Sequence, residues 1–360
     1  MDHSDLPLSF GRRFVQNRLA VPALGYLCIS VLLALFGYGV APDRTPDANL
    51  QMPALSQAPA GTCSDILALK PSGPVEQPSL LRRLFFGAPL PYYPVPIRQN
   101  SFAVEGDSVY AIGIDPEGAY PVAFHRNLLW DAGKPVVRRC FPLGADAFGR
   151  CIFSRLLLGY RVSLSAGALA VGVALTIGLV LGALGGYFGG RTDALVMLLI
   201  NTFWSIPTLL LVFAFVMALG RSAGAVFLAL GLTLWVDVAR LVRGQVMALR
   251  AQTFAEAAHN LGLPAWRIAW RHLLPNLVGP LTVVLAGSFS TAILLESGLS
   301  FLGFGMQPPS PSWGSMLSEN YGLALSGHWV AAMAPAAVIA LTILAFHVVG
   351  NGVRDAVGKR

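Results

Sequence analysis

Residues 250–276 read RAQTFAEAAHNLGLPAWRIAWRHLLPN, a polar passage between two hydrophobic runs in the C-terminal half of the chain. The pattern predicts two short helices, over 253–261 and 264–273. Gly262 lies between them and suits the left-handed residue that ends a helix. Pro275 is predicted to end the second helix. We therefore expect a helix–turn–helix outside the membrane, between two spanning helices.

The composition is that of a membrane protein. Of the 360 residues, 55% are hydrophobic and 12% are charged, whereas soluble domains average about 25% charged residues. A spanning helix needs roughly 20 apolar residues. Six blocks meet this requirement: 19–40, 162–187, 194–220, 224–242, 277–295 and 330–349. The predicted fold class is an all-α polytopic membrane protein with six transmembrane helices.

Charge predicts which side of the membrane each segment occupies. Lys and Arg are enriched in short cytoplasmic segments. They precede the first block, surround residues 250–276 and end the chain, while 300–329 contains none. Both termini and the 250–276 loop are therefore predicted to be cytoplasmic, and an enlarged segment after the first helix is predicted to be external. The net charge of +7 does not indicate a nucleic-acid partner, since no basic face is interleaved with aromatic residues.

These blocks also predict how the chain divides. The first helix lacks a cleavage signature, so we expect it to be retained rather than removed as a signal peptide. The expected segments are a cytoplasmic tail (1–18), a first transmembrane helix (19–40), an external segment (41–161), a five-helix transmembrane core that includes 250–276 (162–352) and a second cytoplasmic tail (353–360).

The external segment is rich in Pro and Gly over 41–140 and shows little helical periodicity. It predicts loops with a few short strands and no clear core of its own. The run 101–114 alternates loosely, which predicts a strand pair around Glu105–Ser108. Residues 141–165 then predict an amphipathic helix at the outer interface, serving as an anchor or as a gate. Its arginines would lie opposite the apolar face: Arg150, Arg155 and Arg161.

The chain contains four cysteines, of which Cys28 lies in the first transmembrane block. Cys63, Cys140 and Cys151 fall in the external segment, where an oxidising compartment favours disulfides. One disulfide among these three is predicted, and three pairings are open. No cysteine or histidine spacing indicates a metal site.

Two features in the transmembrane blocks are candidates for a role in transport. Trp204, Ser205 and Pro207 predict a kink, and kinks beside polar groups either line a translocation path or belong to ordinary packed helices. Glu296 ends an apolar run, where a carboxylate is either functional or a simple helix-end residue. Residues 296–319 are predicted to form an external loop rather than a seventh span, because three prolines forbid a continuous helix.

Several kinds of chemistry are missing from the sequence. There is no GxxxxGK[ST] loop for ATP phosphates and no catalytic constellation, so the chain is not predicted to be an enzyme or to bind ATP itself. Charged residues at mid-span, typical of a stand-alone secondary transporter or channel, are not found either. A cytoplasmic helix–turn–helix suits a groove on another protein.

Three stretches resemble one known family. Glu256-Ala257-Ala258, Gly262 and the RHLLPN run that ends in Pro275 and Asn276 resemble the EAA loop of binding-protein-dependent ABC importer permeases. LGADAFGRCIFSRLLLGYRVSL (143–164) and ESGLSFLGFGMQPPSPSWGSML (296–317) are similar to the C-type permease subunit of dipeptide, oligopeptide and nickel importers.

The resemblance implies a permease subunit in a bacterial inner membrane that moves peptides or a related small solute such as nickel. Its partners would be a second homologous permease, two ATP-binding subunits, an external solute-binding protein and the lipid bilayer. ATP would be bound by the ATPase subunits, and the permease would need no cofactor. The ATPase-coupling residues would be Glu256, Ala257, Ala258, Gly262, Pro275 and Asn276.

The sequence departs from the family at two places. The family usually has Asp where Cys151 stands, and the segment 41–140 is longer than usual. From these departures we hypothesise that Cys151 pairs with Cys140 or Cys63 and braces the enlarged external segment. The alternative function is a stand-alone secondary transporter or channel, which the docking loop argues against.

Overall fold

The structure is a computed structural model and describes residues 10–131 and 133–357. Its α-helices are α1 (Phe10–Gln16), α2 (Ala20–Val40), α3 (Leu80–Phe86), α4 (Ile152–Phe188), α5 (Gly190–Trp204), α6 (Thr208–Leu219), α7 (Ala223–Arg250), α8 (Thr253–Asn260), α9 (Ala265–Ile268), α10 (Leu274–Phe301), α11 (Trp313–Leu325) and α12 (Val330–Val357). The strands are β1 (Thr62–Leu69), β2 (Tyr93–Ile97), β3 (Ala103–Glu105), β4 (Ser108–Asp115), β5 (Gly118–His125) and β6 (Val136–Phe141).

The described chain divides into two compact units. The first, which we call the bundle unit, contains residues 10–29, 163–299 and 339–357. The second, the sheet unit, contains residues 30–162 and 300–338. The predicted tails, 1–18 and 353–360, lie partly outside the described residues.

Five of the described helices are long and apolar enough to cross a membrane, namely α2, α4, α7, α10 and α12. The predicted third span, 194–220, is not one continuous helix, because α5 and α6 are bent by 92° at the break between them. The kink predicted there is confirmed. Pro207 has no N–H to donate and disfavours helical backbone in the preceding residue, so the helix ends and α6 begins at Thr208. The described spans therefore number five, or six if the bent pair is one span.

Close approach of α4 and α7 organises the bundle unit. Gly178, Gly182 and Gly186 lie four residues apart on α4, and a Cβ at any of them would come within 2.6 Å of an atom of α7. The atoms concerned belong to Val238 and to the backbone carbonyls of Ala239 and Arg243. Small residues at helical spacing let two helix backbones approach in lipid. Of the apolar windows of the spans, that of α7 is the most buried, at 72%.

The sheet unit corrects the prediction of an all-α chain and of loops with only a few short strands over 41–140. Six strands form one antiparallel sheet, in which β4 pairs with β5 along its whole length and with β3 and β2 on its other side. β1 pairs with both β2 and β6. The strand pair expected around Glu105–Ser108 is confirmed, since these two residues are partners in the β3–β4 register.

Strand β2 was not predicted from the sequence, because two of its five residues are prolines. Its residues Pro94 and Pro96 lack the N–H that a ladder uses, which argues against a central strand. Arg98 N donates to Ile112 O of β4 at 2.7 Å, and the two prolines share its parity along the strand. The positions without an N–H, Pro94 and Pro96, therefore face β4. Among the described residues β2 pairs with β4 only at Ile97, so few hydrogen bonds are lost there.

The sheet unit also has its own apolar core, contrary to expectation. Two clusters of buried side chains flank the sheet. The first includes Met52, Ile66, Tyr92, Phe141 and Cys151. The second consists of Leu67, Ile97, Val109, Ala111 and Leu129.

The predicted single disulfide is present, but not in the hypothesised pairing. Cys63 and Cys140 are directly opposite each other in the β1–β6 register and form the bond. The hypothesis that Cys151 pairs with either of them is therefore wrong. Cys151 is a free, buried thiol within the first apolar cluster, and cross-strand register rather than proximity in sequence decides the pairing.

Candidate functional site

The segment after α7 forms the predicted helix–turn–helix with local changes. α7 ends at Arg250 and α8 covers Thr253–Asn260. Gly262 has φ +74°, which is the left-handed conformation predicted for the turn. Two backbone hydrogen bonds form at the end of α8. Leu261 N donates to Ala257 O at 3.0 Å, and Leu263 N donates to Ala258 O at 3.3 Å.

The return helix differs from the prediction at Pro275. α9 runs into a π-helical turn, Ala269–Leu273, and then directly into α10, so Pro275 does not end a helix. It is the second residue of α10, and its missing N–H cannot donate a hydrogen bond to the preceding turn. The helical path from α9 into the membrane-crossing α10 is thus continuous. Asn276, next to it, is exposed.

The two faces of α8 have different partners. Ala255 and Ala258 are buried against the bundle unit, whereas Glu256 and Ala257 are exposed. Leu261, just after the helix, is 80% exposed. The slim alanine face therefore packs on the chain itself. The face that carries Glu256 is free of protein in the described residues of this chain.

A cavity of about 580 Å³ lies beside α8 in the bundle unit. Its lining comes from the ends of α4 and α7, from α8 and from the return helix, with Tyr187, Arg250, Glu256 and Ile268 among the residues. Arg250 Nη1 donates a hydrogen bond to the Tyr187 carbonyl oxygen, and its guanidinium lies 5.5 Å from the centre of the Tyr187 ring. This contact ties the end of α4 to the end of α7 where α8 begins.

An ion pair inside the bundle unit joins α5 to α7. Arg243 donates through Nε and Nη2 to both carboxylate oxygens of Asp193, with Nη2 to Oδ2 at 2.6 Å. The pair lies seven residues before the end of α7. Sequence reasoning missed it because the two residues are 50 positions apart. The only signal was an unpaired acid at the start of an apolar block.

The residues predicted to line a pathway lie on the surface of the bundle unit. Trp204, Ser205 and Pro207 are exposed, and Trp204 is 61% accessible. The guanidinium of Arg240 on α7 stacks over the Trp204 ring at 3.5 Å from its centre. These residues were expected to face the interior of the bundle, but in the single chain they are exposed.

A buried ionic cluster in the sheet unit replaces the predicted interfacial helix. Residues 152–188 form a single helix, and Arg150 and Arg155 are buried rather than solvated. Arg150 Nε donates to Asp146 Oδ2 at 2.7 Å and its Nη2 donates to Glu319 Oε2. Arg155 Nη2 reaches the same Glu319 oxygen at 3.2 Å. Arg155 Nε and Nη1 have no hydrogen-bond partner among the described residues.

Trp313 packs α11 against the start of α4, beside this cluster. Trp313 is fully buried and donates through Nε1 to the Leu156 carbonyl oxygen at 3.2 Å. Its ring packs edge-on against Tyr160, and a Cβ at Gly159 would come within 2.5 Å of it. The predicted external loop, 296–319, is therefore partly helical: its first residues belong to α10, and the 13-residue helix α11 begins within it and packs on the start of α4.

The two remaining candidate residues, Cys151 and Glu296, do not form a site with other functional side chains. Burial raises the pKa of the Cys151 thiol. Among the described residues, no group of three metal-ligating side chains occurs. Glu296 is fully buried in the bundle unit, where Ser163 Oγ lies 3.5 Å from its Oε2. It is therefore not a solvated helix-end residue.

Several apolar helices of membrane-spanning length define the class, a polytopic membrane protein. The family model for "binding-protein-dependent transport system inner membrane component" matches residues 174–360. The chain belongs to this family and is a permease subunit of an ABC importer in the inner membrane. Permeases of this kind work with an ATPase and a substrate-binding protein.

Individual relatives agree with this assignment. The dipeptide transport system permease protein DppC of Bacillus subtilis is 39% identical over 217 residues, which cover 60% of this chain and 68% of that protein. The glutathione transport system permease protein GsiD of Pectobacterium atrosepticum is 39% identical over 219 residues, or 61% and 72% of the two chains. Among solved structures, a chain of the inward-facing MetNI methionine ABC transporter gives a TM-score of 0.46 at 19% identity, over 56% of this chain and 95% of that one.

Proposed function

We propose that α8 is the coupling helix through which a separate ATPase drives this permease. The observation that carries the proposal is the position of α8. It is a short helix with an exposed Glu256–Ala257 face, on a turn between two membrane-crossing helices. Of the residues implied by the family resemblance, Glu256 and Ala257 would contact the ATPase. Ala258 fixes α8 to its own chain, and Gly262 sets the turn.

Motion of α8 would reach the spans by two routes. One is the Arg250–Tyr187 contact at the ends of α7 and α4. The other is the unbroken helical path through Ala269–Leu273, Pro275 and Asn276 into α10. The chain supplies coupling and half of a pathway, while the ATPase supplies the nucleotide site. The protein itself would catalyse no reaction.

The assembly we propose has two related permeases, two ATPase subunits and one external binding protein. Trp204, Ser205 and Pro207 are exposed in the single chain. They would line a pathway formed with the second permease, because an exposed bend beside Arg240 is open to a partner subunit. We expect six spans, with the bent α5–α6 pair as the third.

We further propose that both termini and the 250–276 turn are cytoplasmic, with 41–161 outside. The distribution of Lys and Arg supports this orientation. So does the Cys63–Cys140 disulfide, since such bonds persist in oxidising compartments. The solute would be a small peptide, as the names of the dipeptide and glutathione relatives suggest for their own systems.

Site-directed cross-linking tests the docking role. In a Cys28→Ser background, Ala257→Cys on the exposed face of α8 should cross-link to the ATPase subunit in inner-membrane vesicles. The matched control is Glu117→Cys, in the exposed β4–β5 turn, which should not react with the ATPase. Equal cross-linking at both positions, or none at 257 in an assembled complex, would contradict the proposal.

A further inference from the structure

The short helix α3 exposes an apolar surface that the transport function does not use. Its sequence is LLRRLFF, and Leu80, Leu81 and Phe86 are 79%, 67% and 66% exposed. Leaving such side chains in water forgoes about 25 cal/mol for each Å² of apolar surface that could be buried. No acidic residue occurs in the helix, which carries Arg82 and Arg83 at its centre.

Several contacts fix α3 against the C-terminal end of α2. The rings of Phe36 and Phe85 are 6.0 Å apart. A single guanidinium, that of Arg161, donates through Nε to the Ala34 carbonyl oxygen at 2.9 Å and through Nη1 to the Phe85 carbonyl oxygen. The position of α3 beside the last two turns of α2 is therefore held by both packing and hydrogen bonds.

The exposed surface of α2 next to α3 indicates that lipid covers α3. α2 is a candidate membrane span of 21 residues, and only 17% of its apolar window is buried within the chain. The C-terminal half of α2 exposes Leu32, Leu35, Phe36 and Val40, and of these Phe36 packs on Phe85 of α3. Because α2 crosses the bilayer, these side chains face lipid, and the exposed surface of α3 continues theirs at the level where the span ends.

The charged side of α3 suits the headgroup layer of the same bilayer. Arg82 lines a cavity of about 650 Å³ together with Tyr38, Gln77, Phe86 and Arg161. Glu76 and Asp47 also line it, and Asp47 accepts a hydrogen bond from Ser310 Oγ at 3.3 Å. Arg82 is exposed and has no hydrogen bond or ion pair to any described residue, whereas the Arg161 donors go to backbone carbonyls. A long basic side chain beside exposed leucines places its charge at the phosphate level.

We propose that α3 is a membrane-surface anchor, with Leu80, Leu81 and Phe86 in the acyl boundary and Arg82 at a phospholipid phosphate. The anchor holds the sheet unit to the bilayer at the C-terminal end of α2. It needs only that α2 crosses the membrane and is independent of the coupling role of α8. The alternatives, water or a partner subunit over this helix, are distinguished by the measurement that follows.

Spin-label accessibility in vesicles gives that measurement. The full chain, assembled with its partner subunits, carries Leu81→Cys in a Cys28→Ser background and is reconstituted in phosphatidylethanolamine–phosphatidylglycerol vesicles. The label at 81 should collide more with oxygen than with a water-soluble nickel chelate, whereas a label at Glu117→Cys should show the reverse. A label at 81 that is as accessible to nickel as the one at 117, or shielded from both reagents, overturns the proposal.

A charge series tests the phosphate contact without disturbing the core, because Arg82 is exposed. Arg82→Glu should raise the nickel-to-oxygen collision ratio at 81 by about twofold or more, since a carboxylate is repelled from the phosphate layer. Arg82→Lys should leave the ratio near that of the parent. An unchanged ratio in Arg82→Glu, with the label at 117 also unchanged, would show that no phosphate is bound there.

Discussion

Arg243 donates hydrogen bonds to both carboxylate oxygens of Asp193. This ion pair joins the first turn of α5 to α7, seven residues before α7 ends. Both side chains are about one-fifth exposed, so the pair contributes about 0.5–1 kcal/mol rather than the value of a buried pair. Its location matters more than its strength, because the same end of α7 leads into α8.

Asp193→Asn should therefore lower the melting temperature of the detergent-solubilised protein only slightly but reduce ATP-driven uptake clearly. The charge swap Asp193→Arg with Arg243→Asp should recover part of the uptake. Differential scanning fluorimetry and proteoliposome uptake give the two readings. Full uptake in Asp193→Asn would mean that the ion pair has no part in transmitting motion.

Helix contact in the bundle unit can be tested with two glycines of α4. A Cβ at Gly182 would lie 2.6 Å from the Ala239 carbonyl oxygen, whereas a Cβ at Gly172 meets nothing within 4 Å. Gly182→Ala should destabilise the protein by about 1–3 kcal/mol, because α4 and α7 must separate. Gly172→Ala should be neutral or slightly stabilising. Equal thermal shifts in the two variants would contradict the described packing.

The buried ionic cluster predicts a large effect of removing one carboxylate. Glu319→Gln leaves the buried Arg150 and Arg155 with Asp146 as their nearest acid. Breaking a fully buried pair costs about 3–5 kcal/mol. Since Glu319 is 21% exposed, we expect about 2–3 kcal/mol, after allowing for solvent screening. Glu117→Gln, in an exposed turn, is the matched control, and a melting temperature as high as that of the control would argue against the cluster.

Cysteine chemistry tests the sheet unit. Non-reducing peptide mapping should find Cys63 linked to Cys140 and a free thiol at Cys151. Because burial raises the pKa of Cys151, its thiolate fraction at pH 8 is smaller than that of an exposed thiol. Iodoacetamide should therefore label Cys151 only after unfolding, whereas a thiol introduced by Glu117→Cys in the exposed β4–β5 turn should be labelled in the folded protein. Rapid labelling of Cys151 in the native state would place it outside the apolar cluster.

Sequence reasoning succeeded where structure depends on near neighbours. The turn at Gly262, the break at Pro207 and the Glu105–Ser108 hairpin are each decided within a few residues. It failed where partners are distant. The Cys63–Cys140 pairing spans 77 residues, and Glu319 lies 169 residues from Arg150, so neither the sheet register nor the burial of the arginines could be derived from local pattern. Pro275 was misassigned because the π-helical turn Ala269–Leu273 leads directly into α10, of which Pro275 is the second residue.

The turn at Gly262 is proposed to present α8 to an ATPase, and a pair of substitutions tests this role most directly. Gly262 has φ +74° and a Cβ there meets nothing within 4 Å, so a side chain would act through backbone conformation alone. Asn tolerates this conformation, whereas a β-branched residue does not. In proteoliposomes of the complete transporter, Gly262→Asn should retain most ATP-driven peptide uptake and Gly262→Val should lose it, with both proteins still inserted. Equal uptake by the two variants would contradict the account.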